Sequence, residues 1–202
     1  GATPPIGWQA ITLAGEPRLA VRRRAGRATY SLDTGLYHQP RAADDANAVF
    51  GTPTLGLEHG VHVALGAQVA LTRAVDVELV LYGRRLDRLV VRDPDETPPA
   101  AAVLTQDGAG RVIGAQLVAR LRGWRGLSGW ITYALSRSDR RDTVDGPWRR
   151  YDHDQTHALA AVVGWARGAW SAGGRARVVT GEPRTLVIDA YFDARAGRWD
   201  PV

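Results

Sequence analysis

Residues 151–157, YDHDQTH, place two histidines and two aspartates in one short stretch, a composition suited to metal ligation. If the segment is extended, His153 and His157 share a face but stand about 13 Å apart at about 3.3 Å per residue. That is too far for a single zinc, whose bonds to nitrogen are about 2 Å. Asp152 and Asp154 offer the hard oxygen ligands that calcium takes, yet a loop-to-strand junction with hydrogen-bonding side chains is the plainer reading. No metal is expected. Ser136 and Ser138 lack the G-x-S-x-G setting of a nucleophile elbow, and neither a P-loop nor a dinucleotide fingerprint occurs. With no Cys in the chain, disulfides, thiolate metal sites and cysteine nucleophiles are excluded. The sequence therefore predicts a protein that is not an enzyme and carries no cofactor.

The charge pattern points no more firmly to a polymer partner. All 26 basic residues are Arg and the net charge is +5, which would suit nucleic acid or an acidic membrane surface. The arginines are spread along the whole chain, however, and no basic stripe interleaved with aromatic residues is evident, so no nucleic acid is expected. The runs at residues 137–142 and 92–96 mix signs closely and read as solvated loop charge. No apolar run reaches the roughly 20 residues that a membrane-spanning helix requires. The opening residues GATPPIGWQA have neither a charged start nor an apolar stretch, and Met is absent; the expectation is a processed end or a position inside a longer protein.

Period-two patterning is the main signal. Val63, Leu65, Ala67, Val69 and Leu71 alternate with His62, Gly66 and Gln68; Val75, Val77, Leu79 and Leu81 alternate with Asp76 and Glu78. The same pattern sets Ile113, Ala115, Leu117, Ala119 and Leu121 against Gly114, Gln116 and Arg120, and Ile131, Tyr133 and Leu135 against Thr132, Ser136 and Ser138. Further apolar rows are Tyr30, Leu32 and Leu36, and Leu159, Ala161, Val163 and Trp165. With weaker segments at 19–24, 170–180 and 186–192, this gives about nine antiparallel strands of about ten residues.

The connections between them alternate in length. Short joints fall at 25–27, 72–74, 123–126 and 167–169, and long ones at 38–60, 92–110, 139–155 and 181–198. Loops above about a dozen residues are uncommon in compact domains, whereas outer-membrane barrels trim one end and elaborate the other. Trp124, Trp130, Trp165 and Trp170 stand at or beside the short joints, as an interfacial aromatic girdle would. Polar residues on one face suit a wet lumen and apolar residues on the other suit lipid. The alternative is a soluble β-sandwich binding module that recognises ligands with its long loops.

From about residue 17 onward the chain resembles the β-barrel portion of TonB-dependent outer-membrane receptors of the high-GC proteobacterial kind. The stretches that carry the resemblance are PRLAVRRR (17–24), GLYHQP (35–40), FGTPTLGLEHGVH (50–62), LVLYGRRLDRLVVR (79–92), GRVIGAQL (110–117), GWITYALSRSDRRD (129–142), YDHDQTH and VVTGEPRT (178–185). The resemblance implies an all-β, antiparallel transmembrane barrel segment of about 8–10 strands in the bacterial outer membrane, with short periplasmic turns and long extracellular loops. It implies import of a scarce ligand such as an iron–siderophore complex or cobalamin. Outer-membrane lipid, lipopolysaccharide and the missing barrel and plug portions, or other chains in their place, would be its partners. The TonB machinery would be reached only through a plug domain that is not recognisable in residues 1–202, and neither is the barrel's closing strand; residues 1–16 read as a loop or N-terminal extension.

On this reading Val77, Leu79, Leu81, Ile131, Tyr133 and Leu135 face lipid, and Asp76, Glu78 and Gln116 face the lumen. The expected ligand contacts are His38, Gln39, Arg137 and Asp152, on loops or at strand mouths, where recognition usually sits.

Overall fold

A computed structural model describes residues 11–47, 51–93, 102–183, 190–193 and 198–201. Strict alternation drives the chain into strands β1 (Arg18–Ala25), β2 (Ala28–Gln39), β3 (Glu58–Ala70), β4 (Val75–Arg92), β5 (Leu104–Trp124), β6 (Leu127–Arg141), β7 (Arg149–Arg150), β8 (His157–Arg167) and β9 (Trp170–Val179). They form one antiparallel nine-stranded sheet in the order β1-β2-β3-β4-β5-β6-β8-β9, with the short β7 also pairing with β6. Strands β10 (Ala190–Asp193) and β11 (Arg198–Pro201) pair with each other in a second sheet. The only helical element among the described residues is a 3₁₀ turn at Asp44–Ala46.

Sequential neighbours pair because tight turns join them. Residues 26–27, 71–74, 125–126 and 168–169 make the four short connections, as expected. At the β5–β6 turn both Arg125 (φ 50) and Gly126 (φ 88) have positive φ, the geometry whose twist matches a two-residue hairpin. In the β3–β4 turn the Thr72 hydroxyl oxygen accepts hydrogen bonds from the amides of Ala74 and Val75, at 3.1 and 3.0 Å.

The strands run longer than the expected ten residues: β4 has 18 and β5 has 21. Consequently 92–110 is not all loop, since β5 begins at Leu104, and β6 and β7 occupy parts of 139–155. The reason is visible at Arg84, Arg85, Asp87 and Arg88, which are charged irrespective of parity, so alternation stops while backbone pairing continues. The strand expected at 186–192 lies partly outside the described residues.

Register fixes the faces. Leu65 lies opposite Leu32 and Leu81; Leu79 lies opposite Ala67 and Leu117; Tyr133 lies opposite Leu117 and Leu159. These residues share one face with Val63, Ile113, Ile131, Leu135 and Val163, and most are exposed, Ile113 at 69%. Asp76, Glu78 and Gln116 fall on the opposite face, as the alternation required. Side chains of that polar face are generally the better covered, a sign that the sheet curls around it. Trp130 lies opposite Arg120 and therefore belongs to the polar face. It departs from the expected girdle, whereas Trp124 and Trp165 both pair with Leu127 on the apolar face.

The polar face is tied together at its short-turn end by Asp76, which is 2% exposed. Its Oδ2 accepts hydrogen bonds from Gln68 Nε2 (3.1 Å) and Arg120 Nη1 (3.2 Å), and Arg122 Nη2 lies 2.6 Å from Oδ1. Arg120 also donates to Glu78 Oε2 at 2.7 Å. One carboxylate thereby joins β3, β4 and β5. Both arginines reach solvent, with side chains 40% and 61% exposed, so removing either costs less than removing the acid they share. Asp76→Ala is expected to destabilise the sheet by about 1 to 3 kcal/mol, and Arg122→Gln by less than about 1 kcal/mol. Urea titration followed by tryptophan fluorescence checks this; the reverse ranking would contradict the assigned hub.

Candidate functional site

At the long-loop end of β2 and β3, the ladder sets Tyr37 opposite Gly60 and His38 opposite His59. The His38 and His59 rings meet edge to face at 4.8 Å, and Tyr37 meets His62 the same way at 6.4 Å. A cavity of about 520 Å³ opens here, lined by His38, Gln39, Glu58, His59, His62 and Arg84, with Leu86 and Leu89 at its apolar wall. The apolar wall fits because Gly110 leaves room for both leucines; a Cβ there would stand 3.2 Å from each side chain.

Next to the cavity, the segment 51–57 folds onto the sheet. Gln106 holds it at two points, accepting a hydrogen bond from the Gly56 amide (2.7 Å) and donating to the Gly56 carbonyl (3.2 Å). The Thr52 hydroxyl oxygen accepts from the Leu104 amide (2.9 Å), and Thr52 donates to the Leu104 carbonyl (2.8 Å). Arg41 donates to the carbonyls of Leu55 and Pro53. Leu55, Val91 and Ala109 are buried in this part of the molecule and are the buried apolar residues among those described. Glu58 accepts from the Val90 amide at 2.9 Å, which fastens β3 to β4 at the cavity floor.

The expected contacts divide between two places. His38 and Gln39 line the cavity. Arg137 does not: its Nε donates to Asp139 Oδ1 at 3.0 Å, and Asp139 also takes Arg111. Asp152 accepts from Arg149 at 2.8 Å, within a network that includes Asp142. These groups lie on β6, β7 and the adjoining loop, about four strand spacings or roughly 20 Å from β2. Arg137 thus belongs to an ion-pair cluster around Asp139, and Asp152 to one around Arg149. Asp154 is bonded to Arg150, the Ser138 amide and Thr156. His153 lies 3.3 Å from Glu182, and His157 bonds to the Tyr133 hydroxyl at 2.7 Å, so the two histidines serve different partners.

Four polar cavity residues escaped the sequence reading: Glu58, His59, His62 and Arg84. The signal was present in YHQP and EHGVH: pairing β2 with β3 sets His38 against His59 on one face and brings His62 beside Tyr37 on the other. Chemically the cavity presents imidazoles and a guanidinium beside an apolar wall. The Nδ1 atoms of His38 and His62 are shielded from solvent and have no hydrogen-bond partner among the described residues. No group of three or more metal-ligating side chains occurs among the described residues. No family model matches the chain, and no curated protein matches it in sequence.

Glu16 braces the cavity from outside the sheet. Its Oε1 accepts the His38 amide at 2.8 Å, and its Oε2 receives Arg18 at 2.7 Å. Arg18 in turn lies 4.5 Å over the Tyr37 ring. The His38 amide, with Arg18 in support, holds the Glu16 carboxyl below its ordinary value. A depressed carboxylate contributes its bonding at pH above the usual glutamate value, and that contribution is lost as pH falls through the folded-state value. The amide proton of His38 is therefore expected to shift only at a pH below the ordinary glutamate range, and Glu16→Gln is expected to abolish the shift. An NMR titration in which the variant titrates like the parent would disprove the brace.

Proposed function

We propose that this chain is part of the barrel wall of an outer-membrane importer of the TonB-dependent receptor kind. The short turns lie in the periplasm and the long loops outside the cell, among lipopolysaccharide. One observation carries the reading: the sheet has a continuous apolar face that no described part of the chain covers, opposite a face holding Asp76, Glu78, Arg120 and Gln116. The band has limits that suit a membrane. On β5 the outward row is apolar from Leu121 to Ile113 and changes to charge at Arg111; on β6 it is apolar up to Leu135 and changes at Arg137. That run is about 26 Å along a strand, or about 20 Å in height at barrel tilt, close to the apolar belt of outer-membrane barrels.

A soluble sandwich would need a second sheet about 10 Å from the apolar face. Among the described residues the other sheet is only β10–β11, and Leu65, Leu79, Leu81 and Ile131 stay exposed. β1 and β9 each leave one edge unpaired among the described residues. Open edges are costly in lipid, so closure requires further strands, from the plug-bearing remainder of such a receptor or from partner chains. The cavity at His38 and Gln39 then lies at the outer mouth of the wall, where an incoming iron–siderophore complex or cobalamin would first be met.

The test is whether the two faces respond differently to charge. With the chain folded in lipid, Leu79→Arg is expected to cost about 2 to 4 kcal/mol, whereas Gln116→Arg, on the wet face, is expected to be mild. Equal costs in urea titrations would refute the assignment. So would a purified chain that is monodisperse without detergent.

A further inference from the structure

Although the arginines are dispersed along the sequence, the fold gathers one at each tight turn: Arg27, Arg73, Arg125 and Arg167. Every short connection lies at the same end of the sheet, so these four side chains form a row. Successive turns are two strands apart, or about 10 Å. All four arginines are exposed. The expectation that no basic stripe accompanies aromatic residues fails here, because a stripe built from turns is invisible until the hairpins are paired.

The two ends of the sheet use arginine differently. At the long-loop end many guanidiniums are met by carboxylates, Arg85 by Asp87, Arg111 and Arg137 by Asp139, Arg149 by Asp142 and Asp152, and Arg150 by Asp154, although among the described residues Arg84, Arg88, Arg92 and Arg141 are not. At the short-turn end, none of Arg27, Arg73, Arg125 and Arg167 has an ion-pair partner among the described residues. The carboxylates closest to these turns in sequence, Asp76 and Glu78, face the other way and are taken by Arg120 and Arg122. Directly beside the row, on the apolar face, stand Trp124, Trp165 and Trp170, exposed by 53%, 37% and 76%. Trp170 lies opposite Arg167, and Arg125 sits 5.0 Å over the Trp124 ring. Indole rings at the edge of an apolar band, followed one step outward by uncompensated cations, match the depth order of a lipid interface, where acyl chains give way to glycerol and then to phosphate.

We infer that the short-turn rim is a binding belt for the headgroups of anionic glycerophospholipids, of the phosphatidylglycerol type. The inference rests on the reading that the apolar face meets lipid, and it adds which lipid the rim selects. Tryptophans set the depth, and each arginine reaches a separate phosphate.

The test uses the whole chain, transferred from detergent to vesicles of phosphatidylcholine alone or with about a quarter phosphatidylglycerol, with association measured by flotation. The parent chain is expected to associate with both and to prefer the anionic vesicles about tenfold or more. The variant R27Q/R73Q/R125Q/R167Q is expected to keep its association with phosphatidylcholine and to lose the preference. A control, R85Q/R111Q/R149Q/R150Q, removes the same charge from the other end and is expected to retain the preference. Two results overturn the inference alone: equal association of the parent with both vesicles, or equal loss of preference in both variants. Raising salt from about 0.05 to about 1 M is a check that needs no variant, since an interfacial charge effect is then screened; a preference that survives also overturns the inference. Failure of the parent to associate with either vesicle would instead refute the lipid-facing reading, and the inference with it.

Discussion

A sheet whose apolar face meets no other element among the described residues governs everything else in this molecule. In a water-soluble domain the hydrophobic contribution comes from burying such a face, yet the buried apolar residues among those described are Leu55, Val91 and Ala109, near where segment 51–57 folds onto the sheet. Cohesion therefore comes from the backbone ladders of nine strands and from polar side chains on the concave face. The Asp76 cluster is one of these, and it cross-links β3, β4 and β5 at their short-turn end.

The same constraint explains how charge is distributed. Where side chains leave the apolar band at its upper limit, Arg111, Arg137 and Asp139 neutralise one another, and Trp148 covers Arg111 and Arg141 at 4.5 and 5.2 Å. A carboxylate shared between two guanidiniums satisfies charges that would otherwise be partly desolvated against apolar neighbours. Along the loop end the ion pairs of β6 and β7 hold geometry, while the Nδ1 atoms of His38 and His62 have no hydrogen-bond partner among the described residues.

The extent to which all this was legible in the sequence follows from where alternation holds. Between Val75 and Leu81, or Ile113 and Leu121, every second residue is apolar, so strand, face and neighbouring turn could be read directly. Above the band, Arg84, Arg85, Asp87 and Arg88 are charged on both faces, so alternation gives no sign that the strand goes on, though Arg84, Arg85 and Asp87 remain paired. The cavity was half legible: His38 and Gln39 were found at a strand mouth, but His59 and His62 needed the register between β2 and β3. Arg137 and Asp152 were chosen for charge near a loop, and their partners Asp139 and Arg149 could be assigned only once β6 and β7 were seen side by side.

Arg88, with φ 61, sits in β4 where the register against β5 shifts. Asp87 pairs with Ala109, but Leu89 pairs with Gly108, so one residue is spent without advancing the partner strand and the chain beyond it turns over. Leu89 consequently joins Leu86 on the cavity side, although odd-numbered residues earlier in β4 point outward. The phase of this strand is thus set by residue count as much as by residue type. Evolution can exchange side chains around the cavity one at a time, but a single insertion or deletion between Asp87 and Leu89 inverts the segment that follows and remodels the mouth in one step.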